Sequence, residues 1–150
     1  MGCDIYSFAE VKSGGKWLKV GKDVFANNVF SSRSYSLFGF LANVRNVAKC
    51  PSFAIKGLPI DSEYLNEKIN CGFGMSYTRL CEIIEMGYHS MSYLTLDELV
   101  DFDYSMRFSY QGKDIAVKEF LSDTELFSVI ETLKQFGDAN NVRIVFYFSS

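Results

Sequence analysis

The sequence predicts an α+β fold: a mainly antiparallel sheet that contains the N- and C-terminal strands, with three to five helices packed on it. Three observations carry this expectation. Runs dense in β-forming residues stand at both ends, CDIYSFAEVK over 3–12 and VRIVFYF over 142–148. Two hairpin turns are written in the chain, Ser13-Gly14-Gly15-Lys16 and Gln111-Gly112, and hairpins build antiparallel sheets. Between them the apolar period changes from two to about 3.6, the mark of helices with one buried face.

Taken in order, residues 3–12 form a strand whose two faces are both mixed, and Trp17-Leu18-Lys19-Val20 returns as its hairpin partner. Residues 21–34 are rich in Gly, Asp, Asn and Ser and read as a loop, with a short extended piece at Val29-Phe30. Leu37, Phe38, Phe40, Leu41 and Val44 then make one helical stripe. Ser34 suits its N-cap, and Arg45 is expected in its last turn, where a cation meets the negative end of the helix dipole. Cys50-Pro51 and Gly57-Leu58-Pro59 bracket an irregular stretch, because proline stops regular pairing. Asp61 or Ser62 caps a helix through Ile69, and a further helix is expected from Tyr77 to Met86, ended by Gly87. Residues 88–94 read as extended. Thr95-Leu96-Asp97-Glu98 is a capping box opening a helix through Phe102. A hairpin covers 106–118. Ser122-Asp123-Thr124-Glu125 reads as a second capping box, opening a helix with Leu126, Phe127, Ile130, Leu133 and Phe136 on its apolar face. Asp138 to Asn141 turns into the last strand.

The whole of 1–150 is expected to be a single globular domain, since no repeat or low-complexity linker divides it. Composition agrees: 48% of residues are hydrophobic and 16% aromatic, which rules out a disordered chain. The net charge of -3 and the absence of basic runs argue against duplex nucleic acid, which needs a phosphate-neutralising footprint. No apolar run reaches the length of a membrane span. The start, Met1-Gly2-Cys3, lacks the Ser or Thr at position six that an acylation signal wants; Tyr6 stands there. Cys3, Cys50, Cys71 and Cys81 have no C-x-x-C spacing, so free thiols in a reducing cytoplasm are expected, with neither a metal nor a cofactor.

Four segments stand out as an ordered set: MGCDIYSFAEV at the start, RSYSLFGFLANVRN at 33–46, HSMSYLTLDEL at 89–99 and NVRIVFYF at 141–148, with GLP at 57–59 among them. Together they resemble a family of small phage and prophage proteins that begin MGCDIH. The resemblance covers most of the chain and implies a phage origin, a common fold and the cytoplasm of a bacterial host. It implies no reaction. One departure is Tyr6, where the family has histidine; chemistry that needed two histidines could not run here. The stretch 60–87 looks like a longer or divergent insertion.

Candidate site residues follow from side-chain chemistry. His89, the chain's one histidine, is the natural acid or base. Cys3 or Asp4 would serve as its helper if the fold brought them near. Strand alternation places His89, Met91 and Tyr93 on one face and Ser90 and Ser92 on the other, so His89 is not expected to activate Ser90. Asp4, Cys3, His89 and Glu98 do not compose a metal-binding pattern. Arg33 and Arg45 flank the first helix, and an arginine fork matches phosphate. With Ser34 and Ser36 at the helix start, Tyr6, Tyr35, Tyr88 or Tyr93 as stacking rings, and Ser90 or Ser92 for polar edges, these arginines form a kit of nucleotide size. Each piece also has an ordinary role, Arg45 as a dipole partner and the tyrosines as core edge. Two readings from different classes result. One is a binding protein for a small molecule of nucleotide type, such as a sponge for a host defence signal, with its pocket expected between protomers of a homo-oligomer. The other is a small hydrolase of a nucleotide or cyclic phosphate using His89. A protein-interaction inhibitor of a host enzyme is a third, with no sequence trace. The missing catalytic pairs favour the binder.

Overall fold

The computed structural model describes residues 2–20, 28–70 and 87–150. The helix expected over 77–86 lies outside them. The chain runs β1 (Asp4–Ser13), β2 (Lys16–Lys19), α1 (Tyr35–Ala42), α2 (Glu63–Asn70), β3 (His89–Thr95), α3 (Leu96–Asp101), β4 (Arg107–Tyr110), β5 (Lys113–Ala116), α4 (Val117–Phe120), α5 (Leu126–Leu133), a 3₁₀ turn (Ala139–Asn141) and β6 (Val142–Ser149). The expected α+β class, with both terminal strands in one antiparallel sheet, is what the structure has. The four-stranded sheet has the order β2-β1-β6-β3, and β4-β5 form a separate two-stranded ribbon.

β6 is central because its residues suit burial on both sides; all but Tyr147 and Ser149 are buried. It pairs with β1 from Asp4↔Ser149 to Val11↔Val142, so the two ends of the chain meet along eight pairs. One sheet face presents Ile5, Ala9, Leu94, Ile144, Phe146 and Phe148 to the main core, where α1 and α5 supply Phe38, Phe40, Leu41, Val129, Ile130 and Leu133. Phe38 meets Phe148 edge-on at 5.1 Å. The other face carries a smaller cluster of Phe8 and Val145 under Leu65 of α2, with Leu58, Tyr64 and Tyr93 packed against it. Two buried faces explain why neither side of β1 reads as cleanly apolar or polar.

At the middle of that second face, Glu10 pairs in register with Arg143, and both are almost wholly buried. Arg143 Nε donates to Glu10 Oε1 at 2.8 Å, and its Nη1 reaches Asp61 Oδ1 at 2.9 Å. The Ser62 hydroxyl donates to Glu10 Oε2 at 2.6 Å and accepts from Leu65 N, so the cap of α2 is tied to the sheet through this pair. The guanidinium also lies 4.1 Å from the Trp17 ring centre.

Most local expectations hold. Ser34 caps α1, accepting from Leu37 N, and Thr95 with Glu98 forms a complete capping box on α3. Both hairpins turn where the glycines stand. Three details differ. The second capping box does not form: α5 begins at Leu126 without a side-chain cap, and the hydroxyls of Ser122 and Thr124 donate to Glu119 O and Leu121 O instead. The Glu125 carboxylate is engaged across the fold by Ser31 Oγ and Ser32 N, at 3.0 and 2.9 Å. Arg45 is not in the last turn of α1, because the helix stops at Ala42 and Asn43 caps it in the left-handed conformation, φ 58°. Finally, β3 is bulged between His89 and Ser92, and Ser90 has φ 55°. The bulge breaks the alternation that sequence spacing alone assumes.

Candidate functional site

The loop that leaves α1 is built tightly. Asn43, Arg45 and Lys49 all have positive φ, at 58°, 52° and 57°. The Asn46 side chain stitches the turns together. Its amide donates to Asn43 Oδ1 at 2.9 Å and to Cys50 O at 2.8 Å, and its oxygen accepts from Cys50 N at 3.0 Å. It packs so close to α1 that a Cβ on Gly39 would come within 2.8 Å of Asn46 Oδ1. A side chain at 39 would therefore force the Asn46 side chain to move.

This loop forms one wall of a groove of about 500 Å³, and the tip of the β4-β5 ribbon with Phe120 forms the other. Tyr35, Ser36, Arg45 and Lys49 line it on one side, Ser109 and Tyr110 on the other. The Arg45 guanidinium carbon sits 5.6 Å from the Tyr35 ring centre, a cation–π distance. Two cations and two phenol rings thus border one opening, presented by a loop whose backbone is pinned from within.

The remaining expected residues are distributed. Arg33 grips Asp4, with Nε and Nη2 at 2.9 and 2.7 Å from Oδ1. The hydrogen bond to Asp4 pushes the guanidinium pKa further up. Gly2 lies against the same guanidinium; a Cβ there would meet Nη1 at 2.1 Å. Asp4, Tyr6, Asn28, Ser31, Ser32 and Arg33 border a smaller hollow of about 210 Å³. Cys3 is buried, and its backbone N–H donates to the Tyr35 hydroxyl at 3.2 Å. Tyr6 stacks on Tyr147 at 5.5 Å and meets Tyr88 edge-on at 5.3 Å, on the outer sheet face. Ser92 is buried and accepts from Lys56 N. Tyr93 is covered by the Lys56 ammonium, 4.6 Å from its ring, and that ammonium is also paired with Glu98.

His89 and Ser90 share a third hollow of about 370 Å³ with Ile55, Gly57, Leu58 and Tyr88. The expectation that His89 and Ser90 face opposite ways is overturned. The left-handed turn at Ser90 swings its hydroxyl back to His89 Nδ1, at 3.0 Å. His89 Nε2 lies 2.7 Å from Ser150 Oγ, and the ring lies over Phe148 at 6.1 Å. Cys3 and Asp4 are not among the hydrogen-bond partners of His89 in the described residues. No group of three or more His, Cys, Asp or Glu among those residues could hold a metal ion, and no described helix is long and apolar enough to cross a membrane.

Of the expected binding residues, then, Tyr35 and Arg45 come together at the groove, Tyr6 and Arg33 at the smaller hollow, and His89 and Ser90 at the third. Lys49, Asn46 and Tyr110 join the first pair, and sequence spacing did not single these out. Tyr110 reaches the groove only because the ribbon folds back towards α1, which is a tertiary event. Asn46 carries a local signal in hindsight: an amide two residues beyond an apolar stripe, four before a cysteine that ends the segment. Set against known protein-family models, curated proteins and solved structures, the chain matches none.

Proposed function

We propose that the chain is a small-molecule binding protein and that the groove between the α1 exit loop and the β4-β5 ribbon receives a ligand of nucleotide type. The observation that carries this reading is the pairing of Arg45 with Tyr35 at the mouth of a pocket-sized groove, with Lys49 beside them. An anionic phosphate suits the two cations, and a flat base suits the phenol faces. The volume is in the range of small-ligand sites. Arg33, tied to Asp4, serves the fold, and Arg45 is the phosphate partner. The resemblance to phage and prophage proteins supports a role in sequestering a host nucleotide signal.

The test is thermal unfolding with a panel of linear and cyclic nucleotides and ADP-ribose derivatives, followed by chromatography of the ligand. At 100 times its Kd a ligand adds about 2.7 kcal/mol, which raises the midpoint of a domain this size by roughly 5–10 °C. The expected result is a shift with the ligand recovered intact, and loss of that shift in Arg45→Ala. A panel with no shift, or a shift that Arg45→Ala leaves unchanged, overturns the assignment.

A further inference from the structure

The hollow beside His89 has chemistry of a different kind. Ser90 keeps a side chain at a backbone angle that favours glycine, φ 55°, and in doing so brings Oγ within 3.0 Å of the His89 ring. The other ring nitrogen, Nε2, lies 2.7 Å from Ser150 Oγ. With the Nε2 proton donated to Ser150, the Nδ1 lone pair accepts the Ser90 hydroxyl proton, and one tautomer satisfies both contacts. Phe148, nearly parallel to the imidazole at 26°, holds the ring plane. A hydroxyl bonded to a histidine that is itself oriented by a third group is the geometry of an activated nucleophile.

We infer that Ser90 and His89 form a nucleophile–base pair and give the chain an acyl-transfer activity on small, uncharged esters. The hollow selects this class. Besides His89 and Ser90, its walls among the described residues are Ile55, Gly57, Leu58, Tyr88 and Met91, with no lysine or arginine among them. Lys56, next in sequence, turns its ammonium to Glu98. Phosphoryl transfer needs cations or metal around the phosphate, and these walls offer an apolar acyl group a place instead. In the acylation step Ser90 Oγ attacks the carbonyl carbon, and its proton passes to His89 Nδ1. Collapse of the tetrahedral adduct breaks the bond to the alkoxy oxygen, which leaves with that proton as the alcohol. Water then repeats the sequence, its proton passing through His89, and frees the acid. Ser150 is a positioning residue. A hydroxyl there orients the ring but adds no charge to stabilise imidazolium, so turnover is slow beside enzymes that use a carboxylate. This hollow shares no lining residue with the nucleotide groove, so the two assignments stand or fall separately.

The experiment uses the full chain, a fluorophosphonate probe and 4-nitrophenyl butyrate. Peptide mass spectrometry is expected to place the probe adduct on Ser90, and ester turnover is expected above the uncatalysed rate. Ser90→Gly is the informative variant, because glycine accepts the backbone angle and the fold is kept while the hydroxyl goes. It should lose both adduct and turnover, whereas His89→Ala should slow labelling at least about tenfold, within the range that general bases contribute. Ser150→Ala should lower kcat with little change in KM. An adduct absent from Ser90, or turnover that survives Ser90→Gly, overturns the inference.

Discussion

Glu10 shows how far a single side chain can be moved from its behaviour in water. Burial pushes its carboxyl above the usual range, and the Ser62 hydroxyl and Arg143 guanidinium pull the other way without cancelling it. A folded pKa above the unfolded value means that the native state holds the proton more tightly. The cost of ionised Glu10 is present at neutral pH and is relieved as pH falls through the folded pKa toward 4.5. Urea unfolding at pH 7 and pH 5 should therefore show the wild type gaining stability relative to Glu10→Gln on acidification; a difference that does not move with pH contradicts this. Glu10→Ala should cost about 3–5 kcal/mol, because it removes the buried carboxylate from Arg143 Nε and leaves only the exposed Asp61, among the described residues, as its ion-pair partner. Cys50 is a second such residue. Burial raises its thiol to about 11, so at pH 8 it should resist alkylation in the native protein and react on unfolding, as peptide mapping would show. The burial of Glu10 and Arg143 was not legible from spacing, since a charged residue inside a strand reads as solvent-facing until the opposite face is known to be covered.

At the scale of elements, two Ser/Thr-x-x-Glu patterns look alike in sequence and differ in space. Thr95 caps α3 through the reciprocal bonds with Glu98; Ser122 caps nothing and its hydroxyl lies on an exposed turn. Thr95→Ala should lower stability by about 1 kcal/mol, and Ser122→Ala should stay within about 0.5 kcal/mol. Equal effects in chemical denaturation would mean that the two turns are equivalent after all. The α1 exit loop makes the same point for binding. Asn46→Ala removes three hydrogen bonds that hold the positive-φ turns of Arg45 and Lys49. Its expected outcome is weaker ligand affinity by titration with the cations still in place, because ordering the loop then falls to the binding step.

For the whole molecule, stability rests on β6. It joins β1 to β3 and separates two cores, so its side chains feel packing from both sides. Phe148→Ala should cost about 3–5 kcal/mol, a large part of the 5–15 kcal/mol typical of a domain. It should also disturb His89, whose ring lies over it. Denaturant midpoints read the first effect, and the rate of Ser90 labelling reads the second. The pairing of residues 4–11 with 142–149 also means that the sheet closes only when the chain ends meet.

The sequence by itself determined the α+β class, the terminal strands, both glycine-turn hairpins, the Ser34 and Thr95 caps and the apolar faces of α1 and α5. All of these depend on residues within a few positions of one another, where period, turn chemistry and capping act directly. The strand order, the second buried face with Glu10 and Arg143, the meeting of Tyr110 with Arg45, and the bulge that turns Ser90 onto His89 were decided only by the tertiary structure. Each depends on which surface is laid over which, and on a local backbone angle that the surrounding packing imposes against the preference of the residue that carries it.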